Sequence, residues 1–140
     1  MEPEVVAMHL DHTIVPAKDK TRSAEFYAEI FGLTFKPGHF AQVKINEYLT
    51  LDFADEPELW GGRGFESGTG PRHHYAFHVS DEEFDSIFDR VKSKGLAYGS
   101  GPFSYTDGKI NHRRGGRGFY FEDPNGHLLE VMTVRETGSY

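Results

Sequence analysis

The sequence predicts an α+β domain made of two similar modules, each a strand, a helix and further strands. Three observations carry that reading. Leu10-Asp11-His12-Thr13-Ile14-Val15 is followed by a polar gap and an apolar-striped run that closes at Gly32-Leu33. The pattern recurs from His73 to Val79, with a run closing at Gly95-Leu96. His12 stands 20 positions before Gly32, and His74 stands 21 before Gly95. Finally, Phe119 to Met132 reads as strand, tight turn, strand, the close of the second copy. At 140 residues, 37% of them hydrophobic, the two modules share one core in a single domain.

The elements follow in order. Leu10 to Val15 is the opening strand of module one (about 8–55), with Leu10, His12 and Ile14 on one face. From Ser23 to Gly32 a helix is predicted, with Phe26, Ile30 and Leu33 as its stripe, widened by Tyr27 and Phe31. Strands follow at Phe40 to Ile45 and Tyr48 to Phe53. Residues 56–72 hold five glycines, two prolines and Trp60, the composition of a linker.

Module two (about 73–136) opens with a strand that puts His74, Ala76 and His78 on one face and Tyr75, Phe77 and Val79 on the other. Ser80-Asp81-Glu82-Glu83 is a capping box. Phe84, Ile87, Phe88 and Val91 continue it as one apolar face. Lys92 and Lys94 suit the last turn, and Gly95 suits the left-handed stop. Gly99 to Gly118 is long enough without pattern to suggest a functional loop. Asp123-Pro124-Asn125-Gly126 is turn chemistry between strands Phe119 to Phe121 and Leu128 to Val134.

Composition removes several classes of function. A net charge of −7 argues against nucleic-acid binding. With no Cys, disulfide scaffolds, thiolate catalysis and Cys-based zinc sites are excluded. No apolar run approaches the about 18 residues of a membrane span, and the acidic Met1-Glu2-Pro3-Glu4 is no signal peptide, so a cytoplasmic protein is expected.

Glu130 is the awkward residue. A carboxylate among Leu128, Leu129, Val131 and Met132 must be solvated, paired or bound to a metal. His12 and His74 occupy equivalent places in the two repeats, and Glu130 lies on a strand of module two. Two imidazoles and a carboxylate leave open positions on a metal, the logic of a facial triad. Singly, each has a plainer reading: a strand-end histidine, or a glutamate paired with an arginine. Together they point to a divalent metal. His78 is either a neighbour of the ligands or a core histidine, and the pattern leaves both open.

The segments Leu10-Asp11-His12, His74-Tyr75-Ala76-Phe77 and Asp123 to Glu130 resemble the vicinal oxygen chelate superfamily, which includes glyoxalase I, fosfomycin-resistance and bleomycin-resistance proteins and extradiol dioxygenases. The resemblance covers nearly the whole chain. It implies two βαβββ modules whose curved sheets enclose a metal site, with ligands at His12, His74 and Glu130. It also implies a small-molecule substrate and a homodimer, since members commonly dimerise and some build each site from two chains. Ile110-Asn111-His112, then Phe119-Tyr120, Asp123-Pro124, Gly126 and Glu130 resemble the C-terminal signature of extradiol ring-cleaving dioxygenases. That implies Fe(II), with His112 and Tyr120 as catalytic groups; the plainer reading is a solvated loop histidine and a packed aromatic.

The chain departs from its relatives in informative ways. Typical catechol dioxygenases are longer. Glyoxalase I has a fourth, acidic ligand on the last strand of module one, where this chain offers only Asp52. The fosfomycin-resistance pattern expects Thr where Ile14 stands. Bleomycin-type binders lack the triad. Lys109, Arg113, Arg114 and Arg117 form a local reversal of charge, read either as a lid that grips an anionic substrate group, with Asn111, Arg113 and Arg117 as binding residues, or as a solvated hairpin or dimer contact. The expected activity is extradiol-type dioxygenation of a small substrate with vicinal oxygens. Mn, Ni or Zn with lyase, isomerase or epoxide-opening transferase chemistry is the alternative, and a non-catalytic binding protein is the reading from another class.

Overall fold

Two caps fix the helices. Asp19, in extended conformation, accepts the Arg22 N–H on its carboxylate and starts α1 (Lys20–Phe31). Gly32 stops it at φ 68°, a left-handed value that suits glycine. The helix thus begins one turn before the expected Ser23, because the polar gap contained its cap. Helix α2 (Asp81–Ser93) has the expected capping box: Ser80 Oγ accepts the Glu83 N–H, and the Glu83 carboxylate accepts the Ser80 N–H. Gly95 follows at φ 70°. The computed structural model describes residues 8–55 and 72–136; most of the expected linker, with Trp60, lies outside the described residues.

Module one is βαβββ. Strands β1 (His12–Ala17), β2 (Phe35–Lys36), β3 (Ala41–Lys44) and β4 (Thr50–Asp55) form one sheet in the order β1-β4-β3-β2. The first pairs with the last in parallel, and the other pairs are antiparallel. The two-residue β2 had no counterpart in the sequence reading, being too short for alternation to show.

Module two repeats the plan with β5 (His74–His78), β6 (Gly118–Glu122) and β7 (Leu128–Met132), ordered β5-β7-β6. Its extra strand has shrunk to a single antiparallel bridge between Gly99 and Tyr120. A side chain at position 99 would run into the backbone of Ser104 and Tyr105, so the bridge closes only with glycine there.

An aromatic core joins the modules. Tyr27, Phe53, Phe84, Phe119 and Phe121 are fully buried. Phe31 of α1 packs tilted against Phe77 of β5 with ring centroids 4.3 Å apart, and Phe84 meets Phe119 edge-on at 5.3 Å. The Asp-Pro-Asn-Gly-His turn adds a buried polar lock. Tyr27 Oη donates to Asp123 at 2.7 Å, and Asn125 Nδ2 donates to Ser23 Oγ at 3.0 Å. His127 donates from Nε2 to the Pro16 carbonyl at 2.8 Å and accepts the His73 N–H on Nδ1 at 3.0 Å. One fully buried neutral imidazole thereby ties β1 to the start of β5. Among the described residues no buried side-chain nitrogen or oxygen lacks a partner, and no helix is long and apolar enough to cross a membrane.

Candidate functional site

Strand alternation delivers His74 to the site. The β5 residues His74, Ala76 and His78 are exposed on one face, while Tyr75 and Phe77 turn inward. On β7, Leu129 and Val131 are buried and Glu130 and Met132 are partly exposed on the other face. The parallel register sets Ala76 beside Glu130 and His74 beside Leu128. His74 Nδ1 donates to the Leu128 carbonyl at 3.0 Å, which leaves the Nε2 lone pair facing Glu130 Oε1 at 3.2 Å. Two electron-pair donors so placed call for a cation between them, a proton or a metal ion. A carbonyl fixing the far nitrogen is also the usual way a protein orients a metal-binding imidazole.

Tyr120 stands directly opposite Glu130 in the β6–β7 ladder, and its ring stacks on that of His74 with centroids 6.1 Å apart. Its hydroxyl accepts a hydrogen bond from Arg113 Nη1 at 2.6 Å. Burial pushes the Tyr120 phenol above its ordinary range, Arg113 pulls it back, and Glu130 pushes it up again. The phenol is therefore a neutral hydrogen-bonding group beside the carboxylate.

The arginine loop closes over this pair. Asn111 and Gly118 exchange backbone hydrogen bonds at its neck. Asn111 Oδ1 accepts the Arg113 N–H at 3.3 Å, and its Nδ2 donates to Ser100 O at 3.1 Å. A short 3-10 turn (Arg113–Gly115) forms the tip. The loop, Tyr120 and Glu130 enclose a cavity of about 60 Å³ that Arg113, Arg114 and Arg117 line. The three arginines differ. Arg117 is held by Asp85 at 2.7 Å and Asp81 at 3.0 Å, over the Phe84 ring, so it anchors the loop to α2. Arg113 serves Tyr120, and Arg114 has no hydrogen bond or ion pair with any described residue.

The remaining expected residues lie elsewhere. His12 opens β1 in the other sheet, exposed, with Nδ1 at 2.8 Å from Asp11. Its pKa is raised, chiefly by the Asp11 hydrogen bond and then by the charge of Asp52. Among the described residues no three His, Asp or Glu side chains come together as a metal group. The chain assembles His74 and Glu130 without His12. His78 is exposed and bonded at 3.2 Å to the Thr133 carbonyl, so it is not a core histidine. His112 is exposed before the 3-10 turn and does not line the cavity.

One residue gains importance from register. Ile14 pairs with Asp52 in module one as Ala76 pairs with Glu130 in module two. Asp52 is thus the counterpart of Glu130, and His12 that of His74. Asp52 is nearly buried and accepts from Thr50 Oγ1 at 2.9 Å and Gln42 Nε2 at 3.2 Å. The signal was in the repeat, but only strand pairing aligns acids on strands that the helices separate. A second, larger cleft of about 710 Å³ opens between the modules, with Leu10, Thr13 and Leu51 on one side and His74, Ala76 and His78 on the other.

Comparison with known proteins agrees with this architecture. A model of the Glyoxalase/Bleomycin resistance protein/Dioxygenase superfamily matches residues 9–131. Among solved structures, oxidase ChaP-H2 superposes with a TM-score of 0.82 at 42% identity, covering 96% of this chain and 100% of its own. Glutathione transferase FosA of Serratia marcescens is 30% identical over 87% of this chain and 78% of its own length. Metallothiol transferase FosB of Lysinibacillus sphaericus is 29% identical over 89% and 81%.

Proposed function

Since the chain belongs to the Glyoxalase/Bleomycin resistance protein/Dioxygenase superfamily, we propose that it is a divalent-metal enzyme for a small substrate with vicinal oxygens, of oxidase or extradiol-dioxygenase type. The observation that carries this is the His74–Glu130 pair, with the far imidazole nitrogen fixed on a carbonyl and Tyr120 opposite. The donor set of imidazole nitrogen and carboxylate oxygen fits Fe(II), and also Mn, Ni or Zn. His74 and Glu130 would hold the ion together with His12 of a second copy. Among the described residues both ligand-bearing first strands, β1 and β5, stand at sheet edges, which suits assembly from two chains. Fe(II) held by these residues would supply Lewis-acid and redox chemistry toward O₂ and vicinal oxygens.

The chain's own residues have distinct tasks. Leu128 O holds the His74 ring in one tautomer. Tyr120 Oη would hydrogen-bond a substrate oxygen beside Glu130, with Arg113 donating to the phenol oxygen. Asn111 holds the loop, Arg113 contributes positive charge to the cavity wall, and Arg117, paired with Asp81 and Asp85, would hold that wall in place for substrate. His112 belongs to the same loop and would act as a proton carrier only where the loop turns it inward. His78, on the face of His74, would meet substrate in the larger cleft.

A second reading has its own support, for two relatives are named transferases. In it the same residues would hold an ion that supplies Lewis acidity, and the reaction would be attack of a thiol on an electrophilic carbon. Metal titration of protein purified without chelators tests the shared premise. One ion per site is expected, and no binding of Fe, Mn, Ni or Zn would refute it. With metal bound, oxygen uptake on a catechol panel supports the first reading. Consumption of glutathione with an epoxide, and no oxygen uptake, supports the second.

A further inference from the structure

We infer that the cavity beside Glu130 is an oxyanion subsite, with Arg114 as its docking residue and Arg113 as its second wall, so that the substrate carries a carboxylate or phosphate group. This deepens the reading of His74 and Glu130 as the reaction centre and rests on it for the word substrate. The subsite itself needs no metal.

Four facts lead to it. The first is charge without compensation. Arg117 is neutralised by Asp81 and Asp85. Arg113 bonds only a neutral phenol through its guanidinium, and Arg114 bonds nothing among the described residues. Two guanidinium-bearing residues that line one small cavity without an ion pair repel each other, and an anion bound there offsets that cost. Of the carboxylates on the same cavity, Glu130 faces His74, and Glu136 makes no ion pair with either arginine among the described residues.

The second fact is backbone conformation. Arg114 has φ 54° and ψ 27°, and among the described residues no other non-glycine has positive φ. The left-handed region costs a residue with a Cβ and suits glycine. Arginine is therefore not at position 114 for the turn's sake, which leaves its side chain as the reason. The third is size. About 60 Å³ accommodates one charged group and not a whole substrate, so this is a handle next to the reaction centre. The fourth is rigidity. Asn111 and Gly118 pin the neck of the loop, and Arg117 pins its far side to α2.

The test uses the full chain, metal-free, with inorganic phosphate and benzoate as probes and benzamide as the uncharged control, followed on the arginine Nε–H resonances. Saturable shifts centred on Arg114 are expected with phosphate or benzoate and not with benzamide. Arg114→Gly, which suits the left-handed backbone, should keep the fold and weaken binding by at least about tenfold, the loss of a charge-assisted hydrogen-bonded pair. Lys109→Gln, outside the cavity lining, should leave binding unchanged. Preference for phosphate or for benzoate identifies the class of handle. No saturable shift with either probe, or unchanged affinity in Arg114→Gly, overturns the proposal. Oxyanion binding in a chain that takes no metal would refute the enzyme reading and leave the subsite standing; metal binding without oxyanion binding would do the reverse.

Discussion

Tyr75 and Tyr27 are phenols that the fold keeps protonated. Burial and then the charge of Asp123 push Tyr75 up to about 12. Burial, with Asp123 again, raises Tyr27 well above its ordinary range. A raised folded-state value means that the unfolded chain loses the proton first. The stabilisation is therefore complete below the unfolded value of about 10 and declines as pH climbs toward 12. Urea unfolding at a series of pH values should show a steeper fall in stability above about pH 10 for the wild type than for Tyr75→Phe. Identical slopes would mean that the phenol is not held neutral by the fold. At this scale the candidate site was partly legible. Glu130 announced itself by polarity within an apolar strand, and His74 by its repeat position. The partner of Tyr120 was not legible, because Arg113 reaches it across a loop whose path no periodicity describes.

Among the elements, α2 was the most readable, because every signal for it is local: cap, reciprocal glutamate, apolar stripe and terminal glycine. Ser80→Ala removes one half of the capping box and should cost about 1 kcal/mol in urea unfolding. Metal affinity should not change, since α2 carries no candidate ligand; a loss of affinity larger than the loss of stability would show coupling between the helix and the site. The strands were legible in kind and less so in extent. β1 starts at His12, two residues later than expected, because the ladder with β4 starts at the His12–Thr50 pair. The alternation in β5 grouped His74, Ala76 and His78 on one face, and the structure makes that face the exposed one. The missing third strand of module two had no sequence signature. It is lost to a single glycine bridge whose close approach is a tertiary fact.

For the molecule as a whole, the repeat becomes a statement about registers: His12 and Asp52 in one sheet correspond to His74 and Glu130 in the other. The described residues of one chain do not close the triad, and among them the two first strands stand at sheet edges. If sites form across a dimer, His12→Ala and His74→Ala chains should each lose activity and metal binding alone. Mixed and reassembled, they should regain one intact site per heterodimer, read as about a quarter of the wild-type signal when chains pair at random. No recovery in mixtures shown to contain heterodimers would place the third ligand within the same chain. The sequence by itself determined the helices, the turn at Asp123 to Gly126, which residues share a face on β5 and β7, and the doubling of the module. These follow from periodicity, capping and turn chemistry acting over a few residues. Tertiary structure alone decided that Glu130 meets His74 from 56 positions away, that the turn doubles as a buried lock between modules, and that three similar arginines take three different roles. Those outcomes depend on which strands pair and which charges are already satisfied, quantities that exist only once distant segments are in contact.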